Sequence, residues 1–124
     1  MNETVILSKT FISKEMFEKE IKIDGYHFEL CGDNDELWLI NDERNKSVIK
    51  ISLVTLDNGK YIYSDNPLIV LEDVEVPFDG VYYFVEYSDI KTMIIFAHEI
   101  NNDERDIYAL NENNTKFISI KQLS

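Results

Sequence analysis

The chain has 124 residues, 24 of them Asp or Glu and 12 Lys or Arg, giving a formal net charge of −12 with one Cys, two His and two Pro. That length is one domain, able to bury roughly two thirds of its unfolded surface, and 44% apolar residues supply a core without disulfide or metal staples. The charge argues against nucleic acid and anionic membranes, which attract clustered Lys and Arg, and favours a basic protein as partner.

Met1-Asn2-Glu3-Thr4 has no basic segment leading an apolar one, so no signal peptide is expected. No apolar run approaches the ~18 residues of a membrane span, and a cytoplasmic location follows as the expectation. Whether Val5-Ile6-Leu7 forms a strand is left open. Ser13 to Glu20 is predicted as a short helix: Ser13 can cap it, Glu15 meets the positive end of the dipole, and Ile12 can staple onto Phe17. The alternative for residues 11–23 is a ragged strand.

Beyond this point Asn-, Asp- and Gly-rich turn signals recur at short intervals, and runs rich in Val, Ile, Tyr and Phe lie between them. The predicted strands are Tyr26 to Cys31, Glu36 to Ile40, Val48 to Val54, Lys60 to Ser64, Leu68 to Val76, Val81 to Tyr87, Thr92 to Ile100 and Phe117 to Ile120. In the first, Tyr26, Phe28 and Leu30 share one face, with His27, Glu29 and Cys31 on the other. The run Thr92 to Ile100 is apolar on both faces and reads as a central strand. With no ten-residue helical pattern between strands, βαβ crossovers are not expected. The expected fold class is all-β: one domain over residues 1–124, mainly an antiparallel β-sandwich or small barrel, with one short N-terminal helix. Asn41-Asp42-Glu43-Arg44 recurs as Asn102-Asp103-Glu104-Arg105, which fits either a duplicated hairpin or chance.

The residues that could carry chemistry are few. His27, Glu29 and Cys31 alternate on one strand face and are donor types that zinc accepts, but no second ligand pair such as Cys-x-x-Cys exists. His98 reads as a core or edge residue, and nothing places it against Cys31 as a nucleophile–base pair. The lone thiol Cys31 cannot form an internal disulfide and is expected to be structural. Asp33-Asn34-Asp35 begins like a calcium loop, yet Trp38 stands where that loop needs glycine. Gly-x-Ser-x-Gly, P-loop and dinucleotide fingerprints are missing from the sequence. No catalytic, cofactor-binding or metal-binding residues are expected.

Charge distribution carries the most information. Residues 61–90 hold seven acids and no Lys or Arg, together with five of the seven tyrosines. Carboxylates gathered beside aromatics suit a cationic partner: the charges steer encounter, and tyrosine offers a large contact area with a polar tip. Tyr82 and Tyr83 are adjacent and must point to opposite sides of a strand. The expected partner-binding residues are Tyr61, Tyr63, Asp65, Glu72, Asp73, Glu75, Asp79, Tyr82, Glu86 and Asp89. The expected function is a non-enzymatic acidic protein that binds and inhibits a basic partner, a toxin or a nucleic-acid-processing enzyme. Immunity proteins of nuclease toxins and phage inhibitors of defence enzymes are proteins of this physical type. The alternative is a small β-barrel that binds an apolar small molecule.

Overall fold

Val5-Ile6-Leu7 lies in the middle of the molecule. In the computed structural model, which describes residues 2–31, 36–53, 61–63, 68–70 and 74–123 (backbone alone for 31, 53, 61–63 and 68–70), strand β1 runs over Asn2–Ser8. Helix α1 (Lys14–Glu20) follows, then β2 (Tyr26–Cys31), β3 (Glu36–Asn41), β4 (Lys46–Leu53), β5 (Tyr61–Tyr63), β6 (Leu68–Val70), β7 (Val81–Tyr87), helix α2 (Ile90–Ile100), β8 (Tyr108–Leu110) and β9 (Phe117–Ser119). Seven strands pair in the order β2-β3-β4-β7-β1-β8-β9, antiparallel throughout, and β5 pairs with β6 separately. The mainly antiparallel β class expected from the sequence is present. The large sheet is open, with β2 and β9 at its ends.

The helices cover one face of this sheet. Phe17 of α1 and Met93, Phe96, Ala97 and Ile100 of α2 pack with Ile6, Leu37, Leu39, Ile49, Ile51, Tyr83 and Val85 in one buried cluster. Phe17 is the hub: its ring lies 6.0 Å from Phe28, 6.0 Å from Tyr83 edge-on, and 6.1 Å from Phe96 in a stacked arrangement. The predicted first helix forms as its capping chemistry requires, with Ser13 Oγ accepting from the Met16 amide at 3.1 Å and Ile12 and Phe17 both buried.

Thr92 to Ile100 is a helix, not the expected central strand. Its buried residues are Thr92, Met93, Phe96, Ala97 and Ile100, while Lys91, Ile95, His98 and Glu99 are exposed. That spacing of three, four and seven is helical, and the β-branched Ile94 and Ile95 obscured it. Asp89 starts the helix: its carboxylate accepts from the Lys91 amide at 3.3 Å and from Thr92 Oγ1 at 3.1 Å. The helix also overturns the expectation of no crossovers. Because β7 and β8 both run antiparallel to β1, they are parallel to each other, and α2 carries the chain over β1 between them. Strand β8 was not anticipated, being three residues long between Asn- and Asp-rich segments.

On the opposite face, Val5, Leu7, Phe84, Leu110 and Phe117 form a second cluster, roofed by Val74, Val76 and Phe78. Of the predicted strand over Leu68 to Val76, Leu68–Val70 form β6 and Glu75 makes an isolated bridge to Lys116, while 71–73 lie outside the described residues. Tyr82 packs in this second cluster and Tyr83 in the first, opposite sides of β7 as their adjacency demands. The buried Tyr83 hydroxyl accepts from the Ile12 amide at 2.7 Å and donates to the Ile12 carbonyl at 3.3 Å.

The recurring Asn-Asp-Glu-Arg tetrad encodes one turn used twice. Asn41 Oδ1 accepts from the Arg44 amide at 3.0 Å, and Asn102 Oδ1 from the Arg105 amide at 2.7 Å. In each, the fifth residue adopts left-handed φ: 53° at Asn45 and 45° at Asp106. The first turn joins β3 to β4 and the second joins α2 to β8, so no hairpin is duplicated. Arg105 does not neutralise its own loop as a solvated cation would. It is buried, donating to the Ile100 carbonyl at 3.2 Å and to Glu20 at 2.6 Å, so that it ties α2 to α1.

Candidate functional site

The structure disperses the described part of the acidic, tyrosine-rich segment. Asp65, Glu72 and Asp73 lie outside the described residues, and Tyr61 and Tyr63 are placed by the backbone of β5 alone. Glu75 and Asp79 are exposed just before β7, and Glu86 and Asp89 lie at its far end. Asp79 and Glu86 stand seven positions apart in the chain, with Val81 to Val85 of the extended β7 between them, roughly 20 Å at strand rise. Asp89 caps α2. Tyr82 is half-buried with its ring 6.0 Å from Phe117, and burial, followed by nearby Asp79, raises its phenol.

Glu86 belongs to a row that crosses the sheet. Register places Glu29 beside Trp38, Trp38 beside Lys50, Lys50 beside Glu86 and Glu86 beside Glu3. Lys50 Nζ sits 4.7 Å from the Trp38 ring centroid, and Trp38 Nε1 donates to Glu36 at 2.6 Å. Glu3 has no cation opposite it in this row. Burial, and then Glu86, raise its carboxyl above the usual carboxylate range.

Glu3 also stands at the mouth of a cleft of about 740 Å³, a volume typical of ligand sites. Its origin is topological. Strand β1 pairs with β7 along all of Asn2–Ser8, but with β8 only at Ile6 and Leu7. At Leu110 the neighbouring chain turns away; its carbonyl accepts from Thr4 Oγ1 at 3.2 Å, and residues 111–114 begin the turn into β9. Between the start of β1 and that turn, α2 contributes Ile90, Met93, Ile94 and Ala97, and the C-terminal segment contributes Ile120 and Leu123. Glu3 and Glu112 are the charged lining residues, and no Lys, Arg or His lines the cleft among the described residues. Tyr87 reaches it from β7, its phenol raised by burial and then by Glu112.

Sequence reasoning missed this cleft. Ile90 and Ile94 stand four apart and face it only because the segment is helical, and Glu112 was hidden in a turn cluster. The remaining signal was the helical spacing of 93, 96, 97 and 100.

The histidines have ordinary partners. Exposed His27 lies between Asp42 Oδ1 and Glu29 Oε1, the latter 3.0 Å from Nε2. The hydrogen bond to Asp42, then that to Glu29, raises its pKa above 6.5. A raised value means that protonated His27 contributes stability below the unfolded pKa of about 6.5 and loses it as pH rises through the folded value. A proton NMR titration should place the imidazole midpoint above 6.5, and Asp42→Asn should lower it. A midpoint at or below 6.5 in the unaltered protein would contradict this pairing. His98 is on α2, where Nε2 donates to the Leu123 carbonyl at 2.8 Å, rather than on a strand face. The Cys31 side chain lies outside the description. No cluster of three His, Cys, Asp or Glu suited to a metal occurs among the described residues. No helix is long and apolar enough to cross a membrane among them.

The chain matches no family model, no curated protein and no solved structure.

Proposed function

We propose that this is a non-enzymatic acidic protein that binds and inhibits a basic partner protein in the cytoplasm, the role that immunity proteins play toward toxins and phage inhibitors toward defence enzymes. The observation that carries this reading is a net charge of −12 combined with a cleft whose charged walls are both carboxylates. A negative protein accelerates encounter with a nucleic-acid-processing enzyme, whose own cleft is positive, and competes with phosphate there. Sandwich or barrel closure is not required for this role, since an exposed groove on an open sheet serves it.

The test is kinetic. With the partner captured and identified, association should slow as salt rises, because exposed charges are screened within about 8–10 Å at physiological salt. Replacing Glu75, Asp79 and Glu86 together by Gln, Asn and Gln should slow association about 3–10-fold and flatten the salt dependence, with less change in dissociation. A neutral or acidic partner, or an association rate indifferent to salt, would sink the proposal. The second reading, capture of an apolar small molecule, is favoured by the aliphatic wall that Ile90, Met93 and Ile94 give the cleft. Native mass spectrometry of the purified protein distinguishes it by a bound mass.

A further inference from the structure

We propose that the cleft between α2 and the β8–β9 turn is where the partner docks, and that it takes a short segment in which apolar side chains are flanked by Lys or Arg. This rests on the basic-partner reading and centres the contact on the cleft, to which residues 61–89 contribute Tyr87. The apolar part of the occupant is set by the wall: Met93, Ile94 and Ala97 on one side, with Ile118 and Leu123 around them. The exposed Ile90 carries that surface outward to the rim. The cationic part is set by Glu112 on the turn, while Glu3 borders the cleft from the end of β1 with its side chain on the sheet face away from α2. Glu3 stands partly buried beside a second carboxylate, Glu86, in a row where Lys50 is the cation. A Lys or Arg entering the cleft would meet Glu112, where a charge-assisted hydrogen bond to its carboxylate is stronger than a neutral one. The Tyr87 hydroxyl and the Asn113 and Asn114 amides supply neutral polar contacts at the same walls. A second copy of the chain is disfavoured as occupant because each copy carries −12.

The experiment uses three end-blocked pentapeptides as probes, Lys-Leu-Lys-Ile-Lys, Glu-Leu-Glu-Ile-Glu and Lys-Ser-Lys-Ser-Lys, titrated into the ¹⁵N-labelled chain and followed by amide chemical shifts. The first should move the amides of Thr4, Ile94, Leu110 and Glu112. Its affinity should fall about tenfold or more in Glu112→Lys, where an exposed turn residue reverses sign. Ile94→Lys, which fills the mouth with a cation on a helix-compatible stem, should do the same, with undisturbed spectra elsewhere showing that the fold is kept.

Shifts confined to another surface would overturn the cleft and leave the basic-partner reading intact. Equal cleft binding by the acidic peptide would overturn the cationic preference, and with it that reading. Equal binding by the Ser peptide would show that net charge alone is at work. Shifts at the same amides on raising the concentration of the chain alone would make the occupant a second copy, and no binding by any peptide at millimolar concentration would also refute the proposal.

Discussion

Phe17→Ala is expected to destabilise the protein by about 3–5 kcal/mol, the usual cost of deleting a fully buried aromatic ring. Phe17 is the buried residue of α1, and its ring touches Phe28 of β2, Tyr83 of β7 and Phe96 of α2. One side chain therefore joins both helices to the edge strand β2 and the central strand β7, so neighbouring groups have little freedom to fill the cavity. A domain of this size is stable by about 5–15 kcal/mol, so the variant should unfold at much lower urea. Equilibrium urea denaturation followed by near-ultraviolet circular dichroism measures it. A loss below about 1 kcal/mol would mean that α1 is not anchored through this ring.

Gly80→Ala should cost about 2–3 kcal/mol for steric reasons. Gly80 precedes β7 where the chain crosses the end of β1, at the pair Ser8 and Val81. A Cβ there would press into the Ser8 carbonyl oxygen, lie 2.9 Å from Leu7 Cδ1 and 3.1 Å from the Phe78 ring. The carbonyl is backbone held in the sheet and cannot swing aside. Gly25 is the contrast: φ is +84° but no atom lies within 4 Å of an added Cβ, so Gly25→Ala should cost about 1 kcal/mol through backbone strain alone. Calorimetric melting of the two variants separates the cases. Equal losses would place the close approach of β1 and β7 elsewhere.

What could be read from sequence was the chemistry of short range. Ser13 announced α1, Asn-rich clusters announced turns, and period-two alternation located β2 and β7 and set Tyr82 against Tyr83. What could not be read were consequences of tertiary packing. The run from Ile90 to Ile100 holds four isoleucines, which suit a strand locally, and the helix is decided by which of its residues meet Phe17 and the sheet. The cleft depends on that helix and on the early departure of β8 from β1, a fact of pairing that no local pattern carries. The acidic segment was legible as composition, but its described members Asp79 and Glu86 were separated by the length of β7. The burial of Arg105 and its pairing with the distant Glu20 are invisible along the chain.

The position of β1 between β7 and β8 has a consequence for how the protein is made. β1 leaves the ribosome about 80 residues before β7, an interval of about 4–16 s at ordinary elongation rates. Throughout that time Val5, Ile6 and Leu7, which end up covered on both faces, have neither of their strand partners. The nascent chain can form α1 and the β2–β3–β4 meander while this apolar strand waits. Such a segment is a natural holding site for ribosome-associated chaperones and, without them, for its counterpart on the next chain of a polysome. Non-local closure of this kind is intrinsically slow, so yield is expected to depend on translation speed and chaperone supply as well as on final stability.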